Sequence, residues 1–324
     1  MSLRPITTRY TQADREMSST DAVTLFAGGT DIIPLTRSGV IDAADLLDIK
    51  TSSLPRSIER RNSEWTIGAL VTLAELERYD ELRQTIPAIS HALSQVATLQ
   101  IRHRATVGGN LLQRPRCSYF RDADVDCWMK GGSSCPAIDG RNEHLALAGQ
   151  HCVAPQPSDL AAVLVALDAD VSVASGQSAA ESRRMAISDF LVAPSPDRRS
   201  LHALADGEIL TAIHIPDGPA TSGSYVKAMD RAVWQFALVG LAAVVTSDDG
   251  GVVERARLVA SGVANTPMSL DSAAQRLVGS TLDDDTLDDA AGEAARGLVS
   301  LSENRYKIDL LRGLVIRSLE SIRP

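Results

Sequence analysis

The chain has four cysteines in 324 residues, and all four fall between positions 117 and 152: Cys117, Cys127, Cys135 and Cys152. Three lie in "RCSYFRDADVDCWMKGGSSC", a stretch of Gly, Ser and Asp with no ordinary core to bury them. Gathered thiols can form disulfides, hold zinc or hold an iron–sulfur cluster. Disulfides need an oxidising compartment. Structural zinc favours short paired spacings, whereas nine, seven and sixteen residues separate these cysteines. A cubane presents separated corners that long irregular loops can reach, so the spacing suits iron–sulfur best, with zinc and unligated thiols still open. His144 and His151 are close enough to substitute, but a lone histidine beside a metal loop more often supports a ligand than serves as one.

Five arginines (Arg102, Arg104, Arg114, Arg116, Arg121) and no carboxylate occupy the run from Gln100 to Arg121. Such a run is either a solvated, partner-facing loop or the neighbour of something anionic, and it would favour the thiolate state of nearby cysteines. Two Gly-Gly turns, "FAGGTDI" (26–32) and "ATVGGNL" (105–111), accompany it. Neither is a G-x-G-x-x-G or Walker loop. Paired glycines let backbone N–H groups converge on a phosphate, with Thr30 and Asn110 adding hydrogen bonds. One such turn is usually only a turn; two suit a dinucleotide with its two phosphates. A side chain at Gly109 is expected to oppose the turn's backbone angles. Asp159 reads as a helix-start residue and Lys227 as an ordinary exposed lysine. No Ser-His-Asp, Cys-His or H-E-x-x-H arrangement stands out, which fits a chain that passes electrons.

The elements that must position these residues read as α+β. "VTLFA", "DLLDI" and "WTIGA" are strand-like and alternate with helical "TDIIPLTRSG" and "TLAELERY". "PSDLAAVLVALDA" is a helix capped by Ser158 or Asp159, with Leu160, Val163, Leu164 and Leu167 on one face. A Pro/Gly/Ser-rich turn closes a first domain near residue 222, giving domains 1–222 and 223–324. The second carries strands "SYVKAM", "FALVGLAAVVTS" and "VVERARLVASGV", then two helical segments with Ile308, Leu311, Val315 and Leu319 on one stripe. Residues 113–157 show neither period and need a staple of their own.

Net charge is −9, which disfavours a nucleic-acid reader. Apolar stretches are too short to span a bilayer. The leading segment shows no export signal, so a cytoplasmic chain, or one co-exported to the periplasm with a signal-bearing partner, is expected.

Together "AGGTDIIPL", "IGALVTLAEL", "IRHRATVGGNL", "PSDLAAVLVALDA", "GEILTAIHIP", "YVKAMDRAVWQFALVGLAAV" and "YKIDLLRGLVIRSLE" resemble, in order, the FAD-binding subunits of the xanthine dehydrogenase family of molybdenum hydroxylases. The resemblance implies a two-part flavin domain of the p-cresol methylhydroxylase type and a smaller C-terminal α+β domain of the CO dehydrogenase flavoprotein type. It implies that Phe26, Ala27, Gly28, Gly29, Thr30, Asp31 and Ile32, with Thr106, Val107, Gly108, Gly109 and Asn110, hold the FAD pyrophosphate. It further implies that Asp159 contacts FAD and that Leu210 and Lys227 lie near the isoalloxazine. The insertion at 113–157 is similar to the branch carrying an additional [4Fe–4S] cluster, which makes Cys117, Cys127, Cys135 and Cys152 its ligands. The aldehyde-oxidising members are the nearer match within that branch, and hydroxybenzoyl-CoA reductase β subunits the alternative.

Implied partners are a large molybdenum-cofactor subunit and a small [2Fe–2S] subunit, in a heterotrimer or a dimer of heterotrimers, and an external electron acceptor. One departure is that Gln156 stands where the family often has histidine. The rival readings are a stand-alone flavin oxidase and a zinc-stapled binding module.

Overall fold

The computed structural model describes residues 9–12, 24–43, 45–147, 149–175, 182–218 and 222–323. Most of the leading segment and the 219–221 turn, on which the export and domain-boundary readings rest, lie outside these residues.

The chain begins with a parallel sheet of β1 (Arg9–Gln12), β2 (Thr24–Phe26) and β3 (Asp45–Asp48), in the order β1-β3-β2. Strand β2 ends at Phe26, so the first glycine turn leaves the carboxyl end of a parallel strand and enters the helix Ile32–Arg37. That is where open α/β sheets place ligands.

A second, antiparallel sheet contains β4 (Ile58–Arg61), β5 (Glu64–Gly68), β6 (Asp170–Ser175), β7 (Ser182–Ala186) and β8 (Glu208–Pro216), in the order β4-β5-β8-β6-β7. Asn62 and Ser63, both at positive φ, turn the β4–β5 hairpin. The pairing of β6 with β8 slips at Thr211, between Leu210 and Ala212. A bulge of this kind re-aims neighbouring side chains, and Leu210 is one of them.

The third sheet, ordered β12-β11-β10-β9, consists of β9 (Ser222–Ala228), β10 (Val239–Ser247), β11 (Val253–Ser261) and β12 (Met268–Ser269). Helices Pro87–Gln95 and Asp159–Ala166 pack on one face and share a core with the five-stranded sheet. Helices Asp271–Leu277, Asp284–Ala295 and Tyr306–Glu320 cover the other. Burial on both faces explains why β10 reads as a continuous apolar run.

Two sequence expectations change here. The helix Asp159–Ala166 buries all eight residues rather than one face, because the helix Pro87–Gln95 and strands β10 and β11 enclose it. Three C-terminal helices replace the two expected. On the last of them Leu311, Val315 and Leu319 are buried as read and Ile308 is half-buried, but Lys307 is buried too. Its Nζ donates to the Gly262 carbonyl at 2.8 Å, and burial draws its pKa down to about 7.

The cysteine stretch differs most from its reading. It builds a core of its own from Cys117, Phe120, Cys127, Trp128, Leu145, Cys152 and Val153, closed by Leu35 from the first helix. Gly and Ser do not prevent this, because Phe120 and Trp128 supply the apolar area and the backbone supplies the hydrogen bonds. Polar side chains then fasten it to the C-terminal part. The Asn265 amide donates to the carbonyls of Cys152 and Ala154 at 3.1 and 2.7 Å. Fully buried Asn304 donates to Leu145 and Ala146 at 3.3 and 2.9 Å, and accepts from the Leu301 N–H at 2.9 Å.

Asn304→Ala would leave two carbonyls and one N–H without partners. It is expected to lower the unfolding free energy by about 3 kcal/mol, read as a shift in the denaturant midpoint at unchanged slope. A loss below about 1 kcal/mol would show that this contact is not a fastener.

Candidate cofactor site

The two glycine turns meet. A Cβ on Gly28 would stand 2.1 Å from the Arg104 carbonyl oxygen, so glycine here lets the first turn touch the chain entering the second. Gly29 needs glycine for another reason, a φ of +74°. No protein acceptor among the described residues takes the backbone N–H of Gly28, Gly29, Thr30 or Asp31. Four consecutive unpaired donors form an anion-seeking cradle. The second turn is the first turn of a short helix, Val107–Leu111, capped by the Thr106 hydroxyl accepting from Gly109 N at 3.1 Å. Gly109 is therefore not at positive φ, contrary to the expectation. A Cβ there would meet only the Thr106 hydroxyl, at 3.0 Å.

Between the turns lies a cavity of about 570 Å³, within the range of small-molecule and cofactor sites. Phe26, Ala27, Gly28, Gly29, Thr30, Asp31 and Ile32 line it. From the second turn Thr106, Gly108, Gly109 and Asn110 line it too, as do Asp159, Leu210 and Lys227. Val107 does not: its side chain points into the main core.

Asp159 and Lys227 form a buried ion pair at 2.7 Å, with side chains 6% and 1% exposed. Lys227 is thus not the exposed lysine the sequence suggests. Its Nζ also donates to the carbonyls of Gln95 and Gln235 at 2.9 and 3.0 Å, which uses all three protons. The other Asp159 oxygen accepts from the Tyr225 hydroxyl at 2.6 Å, and that hydroxyl also meets Ser261 at 3.0 Å. Burial, then the Asp159 charge, holds the Tyr225 pKa well above its usual value. The helix cap is Ser158, which accepts from Ala161 N at 3.1 Å and donates to Asn110 at 2.6 Å, tying the helix to the second glycine turn. Beside it Gln156 is buried, with its Nε2 unpartnered.

The arginines do something the sequence did not show. Arg116 and Arg121 pair with Asp31 at 3.0 and 2.6 Å, and the Arg114 backbone N–H donates to the same carboxylate at 2.8 Å. Arg102 instead pairs with Glu77 at 2.9 Å and donates to Val96 and Ala97 carbonyls. The Arg114 guanidinium makes no ion pair among the described residues and lines the cavity. Sequence reasoning also missed His202, Trp234 and Phe236 in the lining. Phe236 sits under the Arg116 guanidinium at 4.5 Å, and Trp234 is 63% exposed at the mouth. No local pattern marks these residues; only their convergence does.

The four cysteines share one small core and form no disulfide. The Ala154 backbone N–H donates to the Cys152 sulfur at 3.4 Å, and backbone N–H groups near the other three sulfurs favour their thiolate forms. Burial pushes the Cys117 and Cys127 thiols up. The neighbouring Cys152 thiol draws the Cys135 pKa down, and Cys152 is itself raised by the same pairing and by burial. Arg116 and Arg121, which the sequence reading set beside the thiols, pair with Asp31 instead. Among the described residues no three His, Cys, Asp or Glu side chains converge as ligands of one metal ion. His151 stacks on Trp128 at 5.2 Å and His144 faces Glu143 and Asp230.

No helix among the described residues is long and apolar enough to cross a membrane. Residues 7–218 match the family described as the FAD binding domain in molybdopterin dehydrogenase, and residues 224–322 match the CO dehydrogenase flavoprotein C-terminal domain. The chain is 32% identical over 300 residues to the aldehyde oxidoreductase FAD-binding subunit PaoB of Escherichia coli, covering 91% of this chain and 89% of that protein. It is 26% identical over 298 residues to the carbon monoxide dehydrogenase medium chain of Afipia carboxidovorans, covering 91% and 86%. Its fold superposes on quinoline 2-oxidoreductase from Pseudomonas putida 86 with a TM-score of 0.74, at 21% identity, over 100% of this chain and 98% of that one. By the double family match and the length of these alignments, the chain belongs to the FAD-binding subunits of the molybdenum hydroxylases, a family of oxidoreductases.

Proposed function

We propose that this chain is the FAD- and [4Fe–4S]-carrying electron-transfer subunit of a molybdenum-dependent aldehyde oxidoreductase. Its partners are a large molybdenum-cofactor subunit and a small [2Fe–2S] subunit, and it delivers electrons to an external acceptor. The observation that carries the reading is the cavity between the glycine turns, walled on one side by four unpaired backbone N–H groups. The aldehyde assignment is supported by the similarity to the aldehyde oxidoreductase FAD-binding subunit along nearly the whole chain.

In this reading Gly28, Gly29, Thr30 and Asp31 offer N–H groups to the pyrophosphate, and the Arg114 guanidinium offsets its charge. Thr106 and Ser158 fix the second turn, so that Gly109 and Asn110 face the same ligand. Asp159 neutralises Lys227, and Lys227 holds the Gln235 carbonyl, so this part of the cavity, which Leu210 also lines, would offer the isoalloxazine a rigid wall. FAD supplies a carrier that takes two electrons and releases them singly or as a pair.

The cysteine knot fits a cluster through its donor set: four free thiols gathered in one small apolar core, with the Ala154 N–H donating to the Cys152 sulfur at 3.4 Å. Hydrogen bonds to sulfur and low solvent exposure are the means by which proteins tune such a group. Ligands to a cubane bind separate irons and need not converge on one point. Cys117, Cys127, Cys135 and Cys152 would hold the cluster, which supplies one-electron storage.

Anaerobic purification with counts of flavin, iron and acid-labile sulfide tests the whole reading: material lacking all three would sink it. Cys127→Ala should lose iron and sulfide and keep FAD near full occupancy; unchanged iron would remove that cysteine from the ligand set. Gly28→Ala should do the opposite, since the new methyl meets the Arg104 carbonyl at 2.1 Å and forces the turns apart. FAD affinity is expected to fall at least tenfold, measured by flavin fluorescence titration, with iron content unchanged.

A further inference from the structure

We propose that His202 is a further cofactor-binding residue of this chain, donating an Nε2–H hydrogen bond to an acceptor atom of bound FAD. The inference rests on the assignment of the cavity to FAD and adds a contact that neither glycine turn supplies. Packing fixes the ring's position. Residue 202 pairs with Leu191 in an isolated antiparallel bridge, the Ala203 N–H donates to the Phe190 carbonyl at 2.8 Å, and the imidazole stacks on fully buried Phe190 at 6.2 Å and 18°.

The two ring nitrogens are not equivalent. Nδ1 is sealed from water and has no hydrogen-bond partner, whereas Nε2 is not sealed and His202 lines the cavity. An N–H buried without an acceptor is more costly than a buried lone pair on a weak base, so the proton belongs on Nε2. Burial, then the Arg114 and Arg198 charges, pushes the pKa to about 4, so at neutral pH the ring carries that single proton and no charge. A neutral donor held beside the unpaired Arg114 guanidinium suits a ligand whose phosphates and ring carbonyls are all acceptors. Among the described residues nothing uses this donor, and the ligand is what it serves.

The test compares the full chain, freed of FAD and titrated with FAD, with three variants. His202→Leu removes both nitrogens and should weaken FAD binding about tenfold, the value of one net hydrogen bond. His202→Gln places an amide near the Nε2 position and should restore affinity to within about threefold of the parent. His202→Asn reaches only the Nδ1 position and should bind as weakly as the leucine variant. The melting temperature of the FAD-free leucine variant should equal or exceed that of the parent, because the sealed, unpaired nitrogen is gone; a merely structural histidine would give a lower one. Leucine binding FAD within twofold of the parent, or glutamine binding no better than leucine, overturns the proposal. A parent chain that takes up no FAD instead overturns the cavity assignment on which it rests.

Discussion

The structure turns on one buried ion pair, Asp159 with Lys227. It joins four separately coded pieces of chain: the start of the helix Asp159–Ala166, strand β9, the end of the helix Pro87–Gln95 through the Gln95 carbonyl, and the aromatic strap through the Gln235 carbonyl. Taking both charges out of water is costly, and the pair is tolerable because every proton of Lys227 and both oxygens of Asp159 have partners. Deleting one member would leave an uncompensated buried charge, a loss of about 3–5 kcal/mol for such pairs.

The same economy of polar groups governs the two glycine turns. Asp31 occupies the start of the first helix without capping it; its carboxylate takes Arg116, Arg121 and the Arg114 backbone instead. That fastens the first turn to the chain leaving the second, while the backbone N–H groups of the turn stay free. A carboxylate beside a phosphate seat would repel its ligand unless neutralised, and here two guanidinium groups neutralise it. Arg114, Arg116 and Arg121 thus serve the cavity side of the run, while Arg102 pairs with Glu77.

The cysteine stretch shows how an irregular segment stays ordered. Its apolar side chains make a small core, and Asn142, Asn265 and Asn304 bond it to the C-terminal part by side-chain amides. Asparagine suits this task because one side chain offers two donors and an acceptor to neighbouring backbones. A cluster held by these thiols would have its surroundings set by two parts of the chain at once.

The sequence alone determined the order and type of most elements. Strand-like "WTIGA", a helix start at Ser158 or Asp159 in "PSDLAAV", the closing helix and the glycine turns all follow from local periodicity and turn chemistry. The two glycine turns stood out from the residues alone, whereas Asp159, Leu210 and Lys227 joined them only through the family resemblance; fourteen of these fifteen residues border the cavity, and Val107 faces the main core because a helix sends successive side chains in different directions. What the tertiary structure decided is everything that depends on who sits opposite. Full burial of the helix Asp159–Ala166, the change of Lys227 from surface lysine to ion-pair partner, the diversion of the arginines to Asp31 and the placement of His202 in the wall each need a contact between residues far apart in sequence. Periodicity reports which face of an element is apolar, and it carries no information about the partner that face or charge will meet.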